Sequence, residues 1–295
     1  MNKIILFAKL IRPQQWIKNL FVYVPIFFAG QFFEVEKMIS LFIGFVAFCL
    51  VSSAVYILND YRDIEADRIH PKKKYRPLAS GAINGNLALA AMVVMAIIGF
   101  GLSVYLTTAF SIILASYATL NILYSFGLKK VSIIDLLIVA IGFVMRTVAG
   151  GIIADVFLSH WLVIMIFLLA LFLVVAKRRE DLMEFVVSGK VLRDSIKNYN
   201  LEFISHILTM LSAVITVSYI MYTVSPEVEQ RLGTNYLYMT SIFVIVGLMR
   251  YLQLTIVENK SGSPVRILYT DRFIHFTLAL WIASFFLIIY YGSPL

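Results

Sequence analysis

The sequence predicts an all-α, multi-pass membrane protein with nine transmembrane helices. Composition, the length of its apolar runs and the one-sided placement of its cations all point there. Of 295 residues, 61% are hydrophobic and 14% charged, and the mean hydropathy is +0.88. Those values exclude an ordinary soluble globular chain. The apolar runs are about 20 residues long, enough to cross roughly 30 Å of hydrocarbon as helix. Strands in lipid would need an alternating pattern and a closed barrel, and neither is visible.

Spans are read at 17–34, 38–58, 86–107, 109–127, 131–153, 158–176, 204–224, 235–255 and 273–291. With the N-terminus inside, 22 of the 25 Lys and Arg residues fall on the cytoplasmic side or at the inner end of a span. Lys37 and Arg231 lie outside, and Arg146 lies within a span. This is the positive-inside pattern. The net charge of +8 therefore reports orientation in a cell membrane, with no nucleic acid as partner. The whole chain, 1–295, reads as a single integral-membrane domain with inner segments near 59–85, 128–130, 177–203 and 256–272. The single cysteine, Cys49, lies in a span and implies neither disulfide nor zinc. No cleavable signal is visible at the N-terminus.

The opening stretch, Arg12-Pro13-Gln14-Gln15-Trp16-Ile17-Lys18-Asn19, is basic and amphipathic. It suits an interfacial anchor, and Arg12, Lys18 and Asn19 could equally reach a polar cavity. Residues 59–81 are the chemical centre of the sequence. They begin where the apolar run Met38–Leu58 stops, and they hold four of the 17 acidic residues, Asp60, Asp63, Glu65 and Asp67. If the helix continues, Asn59, Asp63 and Asp67 drift only about 40° per step, and Asp60 joins the same side. Like charges at that spacing repel, so a cation belongs between them. An all-oxygen donor set favours a hard ion such as Mg²⁺, which takes one or two carboxylates plus substrate phosphates. The plainer alternative is a solvated loop whose acids pair with Arg62, Arg68 and the lysines. Pro71 breaks the helix, and Lys72, Lys73, Lys74 and Arg76 follow before Pro77 and Gly81 turn the chain back. A cationic lid beside a carboxylate face suits a polyphosphate.

Further along, Lys129 and Lys130 make a short basic loop. Asp135 sits one turn into the next span and Arg146 deep within it. An arginine at that depth is expected to face a protein or water-filled interior and to contact an anion. Asp135 and Asp155, about 16 and 13 Å away along the helix, are poor partners. Lys177-Arg178-Arg179-Glu180-Asp181 opens the third inner loop, with Glu180 and Glu184 at i, i+4, and Ser188, Gly189, Lys190, Arg193 and Lys197 follow. A span followed by acids and cations thus occurs twice, which hints at duplicated halves. The last inner loop, with Lys260, Pro264 and Arg266, reads as a linker. The four histidines are scattered and read as packing residues.

The pattern Asn59-Asp60-x-x-Asp63-x-x-x-Asp67, then His70-Pro71-x-Lys73-x-x-Arg76-Pro77-Leu78-x-Ser80-Gly81, resembles the UbiA superfamily of intramembrane prenyltransferases. The resemblance implies nine transmembrane helices around a central cavity opening to the cytoplasm, with the first aspartate motif holding Mg²⁺ on a diphosphate. Arg12-Pro13-x-Gln15-Trp16-x-Lys18-Asn19, Tyr124-Ser125 with Lys129, Asp135 with Arg146, Lys177-Arg178 and Asp271-Arg272 look like one branch, the decaprenyl-phosphate phosphoribosyltransferases. That branch implies transfer of 5-phosphoribosyl from 5-phosphoribosyl diphosphate (PRPP) to a polyprenyl phosphate, releasing diphosphate. The product would be a lipid-linked pentose precursor for cell-envelope glycan. By the same resemblance Asn59, Asp60, Asp63 and Asp67 are the metal residues, and Asp60, Asp63, Asp67 and Arg76 the catalytic ones. Lys18, Lys73, Arg76, Lys129, Arg146, Lys177 and Arg178 are the substrate-binding residues. The chain departs from the superfamily after span six, where Lys177 to Asp181 replace a second aspartate motif. Fewer metal carboxylates and more fixed cations suit an acceptor that is itself a phosphate. The alternatives are a prenyltransferase moving a prenyl group from its diphosphate to an aromatic acceptor, and a transporter of anionic lipid or phosphate. A homo-oligomer is compatible with the sequence.

Overall fold

The computed structural model describes residues 3–69, 73–188, 194–258, 267 and 270–291. His70, Pro71 and Lys72 of the cationic stretch lie outside the described residues. So do Gly189, Lys190 and Arg193, and Lys260, Pro264 and Arg266.

All regular elements among the described residues are helical. Eight helices among the described residues are long and apolar enough to cross a membrane: Val35–Arg62, Gly85–Leu106, Thr108–Phe126, Ile134–Ala154, His160–Val186, Leu201–Thr223, Tyr236–Val257 and Arg272–Tyr291. They match eight of the nine expected spans, the 158–176 span running on to Val186. The first expected span, 17–34, takes another form. A short helix, α1 (Lys3–Ile11), leads into a 3-10 helix, Pro13–Tyr23, and then into α2 (Val24–Phe28). Pro13 and Pro25 bracket that segment, and each lacks the N–H of a regular helical ladder.

Helix ends follow local chemistry. Helix α3 (Val35–Arg62) leads into α4 (Ile64–Ile69), and α5 (Gly85–Leu106) is capped by Asn84, whose side chain accepts from the Asn86 N–H at 2.8 Å. Thr107 alone separates α5 from α6 (Thr108–Phe126). It lies in extended conformation, and its hydroxyl accepts from the Phe110 N–H at 3.0 Å. Helices α7 (Ile134–Ala154) and α8 (His160–Ser188) follow, then α9 (Leu201–Thr223), where Asn200 accepts from the Phe203 N–H at 2.7 Å. The final helix, Arg272–Tyr291, starts at Asp271, whose carboxylate accepts from the Ile274 N–H and from Arg250 Nη2 at 2.8 Å. The Arg250 hydrogen bond holds that carboxyl below its usual value.

The chain divides into two compact units, and α7 contributes to both. The first takes residues within 1–27, 31–127 and 145–156, and the second those within 28–30, 128–144 and 157–295. In the first unit Val22, Ile26, Leu41, Phe48, Phe110, Leu114, Tyr117 and Ala149 form the core. In the second, Phe172, Ile204, Leu208, Leu211, Ile215, Tyr251 and Leu254 do so. An aromatic group of Phe28, Tyr222, Trp281 and Phe285 joins them, with the Trp281 indole donating to the Tyr219 hydroxyl at 2.7 Å. Lipid tails are as apolar as leucine, so close packing rather than water exclusion holds such helices together.

Gly150 shows how tight that packing is. A methyl group there would overlap the backbone of Val22, carbonyl oxygen included, and backbone cannot rotate away. Gly150→Ala should lower the detergent melting temperature by several degrees, since overpacking costs about 1–3 kcal/mol. Gly101→Ala, where an added methyl meets nothing within 4 Å, should leave it unchanged or slightly raised. Equal melting temperatures for the two variants would contradict the close approach.

Candidate active site

The acidic ladder sits on nearly continuous helix. Helix α3 runs to Arg62, and the Asp63 N–H donates to the Asn59 carbonyl at 3.0 Å. The Asp67 N–H donates in turn to the Asp63 carbonyl at 2.8 Å, inside α4. These two hydrogen bonds keep the turn helical in pitch, although Asp63 itself lies between the two helices with φ −90° and ψ 8°.

Within that ladder, Asp60 and Asp67 are the buried pair, 3% and 2% exposed. They converge on a single nitrogen, Arg76 Nη1, at 2.9 Å from Asp60 Oδ1 and 2.6 Å from Asp67 Oδ2. Arg12 Nη2 lies 2.6 Å from both Asp60 oxygens, and Lys73 Nζ lies 3.9 Å from Asp67 Oδ1. Asn59 and Asp63 are half-buried beside them. The outer charges have separate tasks: Arg68 pairs with exposed Glu65 at 2.8 Å, while Arg62 donates to the Ser125 carbonyl and stacks on Phe126. The solvated-loop reading thus describes the Glu65–Arg68 pair, whereas Asp60 and Asp67 meet their cations in a buried setting.

Local structure fixes both arginines. Arg76 ends the short 3-10 turn Lys73–Tyr75, its N–H donating to the Lys73 carbonyl at 2.9 Å, and Ser80 N–H donates back to the Arg76 carbonyl at 2.9 Å. Arg12 joins α1 to the 3-10 helix with φ 54° and ψ 58°, and its guanidinium lies 5.4 Å from the Tyr56 ring centroid. The left-handed region is costly for a non-glycine residue, and such residues gather at functional sites.

Chemically, the donor set fits Mg²⁺ in one way only. Two buried carboxylates meet at a point already taken by a cationic nitrogen, so a cation is favoured there. Among the described residues, no group of three or more His, Cys, Asp or Glu is placed to hold a metal. Two carboxylates are what a Mg²⁺ ion uses when substrate phosphates supply the remaining oxygens, not what an all-protein cage would require. Beside the pair opens a cavity of about 350 Å³ lined by Lys9, Arg12, Gln14, Asp60, Tyr75, Arg76 and Pro77.

Arg146 is buried, as its depth required. Its Nε donates to the Asn19 side chain at 2.7 Å and its Nη2 to the Tyr117 hydroxyl at 2.8 Å, with the guanidinium 4.5 Å from the Tyr117 ring. Lys18 is half-buried.

In the second unit, Arg178 is 3% exposed. Its Nε lies 3.0 Å from Asp135 Oδ2 and its Nη1 3.2 Å from Asp181 Oδ2. Ser195 and Tyr199 donate to the same Asp135 carboxylate at 3.2 and 3.4 Å. Burial raises the Tyr199 phenol above its usual value, so it stays protonated and remains a donor. Lys177 pairs with Glu180 and lies 3.3 Å from Asp181 Oδ1. Lys129 is half-buried. Sequence reasoning missed Ser195 and Tyr199 as partners of Asp135, and Asp181 as a partner of Arg178. Ser195 and Tyr199 lie 60 and 64 residues from Asp135, so no local pattern signals them.

A family model for the UbiA prenyltransferase family matches residues 20–277. The decaprenyl-phosphate phosphoribosyltransferase of Mycolicibacterium smegmatis is 31% identical, the match covering 96% of this chain and 92% of that one. The Corynebacterium glutamicum protein of the same name is 28% identical, over 96% and 86%. Among solved structures, a UbiA homolog from Archaeoglobus fulgidus bound to DMAPP and Mg²⁺ superposes with a TM-score of 0.70 at 18% identity, covering 96% of this chain and 98% of that one. That likeness establishes the fold, and the family match over most of the sequence establishes the lineage. The chain belongs to the UbiA prenyltransferase family.

Proposed function

We propose that this membrane protein transfers 5-phosphoribosyl from PRPP to a polyprenyl phosphate of the decaprenyl type, releasing diphosphate. The product is a lipid-linked pentose precursor for cell-envelope glycan. The carrying observation is the buried Asp60–Asp67 pair converging on one cation position beneath a basic cavity. The likeness to named phosphoribosyltransferases along nearly the whole chain supports it.

Asp60 and Asp67 would hold Mg²⁺, with Asn59 and Asp63 beside them. When bound, the ion neutralises diphosphate charge and stabilises it as a leaving group. Arg76 and Lys73 share the charge that develops on the departing diphosphate. The bond from ribose C1 to the diphosphate oxygen breaks with its electron pair leaving on that oxygen, and C1 becomes oxocarbenium-like. A phosphate oxygen of the acceptor then forms the new bond to C1. That oxygen is already ionised at neutral pH, so no side chain has to act as general base, and positioning and electrostatics supply the rate. We assign the acceptor phosphate to Lys177 and Lys129. Arg178, clasped by Asp135 and Asp181, is a positioning residue for the end of α8 that carries Lys177. Arg146 and Lys18 support the donor side.

The segment 13–28 is proposed as the ninth crossing, with the N-terminus and the site on the cytoplasmic face of the cell membrane. The 22-to-2 bias of Lys and Arg supports that orientation. A prenyl-transfer reading is weaker, because the position of a second aspartate motif is filled by Lys177 to Asp181.

Three outcomes follow. Protein in detergent with Mg²⁺, polyprenyl phosphate and labelled PRPP should move label into the organic phase, and EDTA or Asp67→Asn should reduce this by about a hundredfold or more. Absence of transfer, together with turnover of a prenyl diphosphate onto an aromatic acceptor, would overturn the assignment. Lys177→Met should raise KM for polyprenyl phosphate about tenfold and leave KM for PRPP unchanged. Arg178→Met should instead appear as instability, lowering the melting temperature by an amount equivalent to about 3–5 kcal/mol. It leaves the Asp135 carboxylate buried without its partner.

A further inference from the structure

The proposed donor is anionic at both ends, with a diphosphate at C1 and a phosphate monoester at C5. The Asp60–Asp67 position accounts for the first end only. We infer that the cavity lined by Lys9, Arg12, Gln14, Tyr75 and Arg76 is the subsite for the donor's 5-phosphate, and that it selects a phosphoribosyl donor over a prenyl one. This rests on the transfer reading above.

Four observations carry the inference. The cavity is contiguous with the carboxylate pair, because Asp60 lines it and Arg76 bridges Asp60 to Asp67. Its walls hold three cations against one acid, which suits a phosphate monoester carrying about −1.5 to −2 charges. The acids engage one terminal nitrogen of Arg12 and one of Arg76, while each guanidinium carries five N–H donors in a fixed fork. Asp60 therefore pins both forks in place and leaves donors available to a further anion. Finally, Arg12 holds its position through a left-handed backbone, φ 54°, a conformation that persists only where the surroundings impose it.

The volume of about 350 Å³ lies in the range of small-ligand sites, and a phosphorylated pentose suits it. A prenyl diphosphate offers no second anion for this cavity, and its apolar tail would have to lie against three charged side chains. The cavity thus supplies a physical reason for donor choice that the metal site, common to both donor types, cannot supply. The same phosphate chemistry is also presented by anionic lipid headgroups, and α1 is apolar enough to lie at the membrane surface.

The test uses full-length protein in neutral detergent without anionic lipid, with ribose 5-phosphate as the probe in a calorimetric titration. Wild type should bind it in competition with PRPP. Lys9→Met combined with Gln14→Ala should weaken that binding about tenfold and raise KM for PRPP to match. Affinity for inorganic diphosphate with Mg²⁺, KM for polyprenyl phosphate and melting temperature should be unchanged. Lys9→Arg should restore binding. If ribose 5-phosphate fails to bind wild type, or binds the double variant equally well, the subsite assignment is overturned. It is also overturned if the variants lose only affinity for vesicles containing anionic phospholipid. Wild type that binds ribose 5-phosphate but forms no lipid-linked product would keep the subsite and overturn the transfer reaction. Normal transfer with an unchanged KM for PRPP in the variants would do the reverse.

Discussion

Everything about the first unit's site depends on holding two carboxylates together at the end of a membrane span. Asp60 and Asp67 are almost wholly buried, and like charges that close would drive the ladder apart in a medium of low dielectric. Arg76 answers this by lying between them, and Arg12 by covering both Asp60 oxygens. The arrangement is an ion-pair network whose cations come from two other segments of chain. One is the strained joint after α1, and the other is the turn that brings the chain back to α5. The network therefore fixes three pieces of backbone around one point, the position proposed above for a metal-bound diphosphate.

The second unit uses the same physics for a different end. Its buried arginine, Arg178, is held by Asp135 and Asp181, and the Asp135 carboxylate also accepts hydrogen bonds from Ser195 and Tyr199. Glu180, the other acid of the motif position, is paired with Lys177. The replacement of a second aspartate motif is thus more than a missing residue type: its acids are committed to cations. The first unit, by contrast, keeps two buried carboxylates on one cationic nitrogen.

Much of this was legible in the sequence for simple reasons. Length and apolarity fix a membrane helix almost alone, so seven spans fall within a few residues of their expected bounds, and the 158–176 span runs on to Val186. Asn59, Asp60, Asp63 and Asp67 stay close in space because the helix breaks only at Asp63, whose N–H and carbonyl still make i, i+4 hydrogen bonds. The first span was misread in form, since hydropathy does not register what Pro13 and Pro25 do to a helical ladder. Periodicity put Asn59, Asp60, Asp63 and Asp67 on one side without ranking them, and the structure brings Asp60 and Asp67 together on Arg76. The choice is made by Arg12 and Arg76, 48 and 16 residues from Asp60, and no local pattern encodes such partners. The family resemblance made Arg178 a substrate contact, and the structure buries it. Its burial follows from Asp135, 43 positions earlier.

The most direct test of this account is electron paramagnetic resonance of Mn²⁺ titrated into the purified protein, with and without PRPP. A site of two carboxylates completed by substrate phosphates predicts weak Mn²⁺ binding to the protein alone. Addition of PRPP should tighten it by an order of magnitude or more, and Asp60→Asn or Asp67→Asn should abolish that gain. Tight Mn²⁺ binding without donor, unaffected by either substitution, would contradict the account and place the metal elsewhere in the chain.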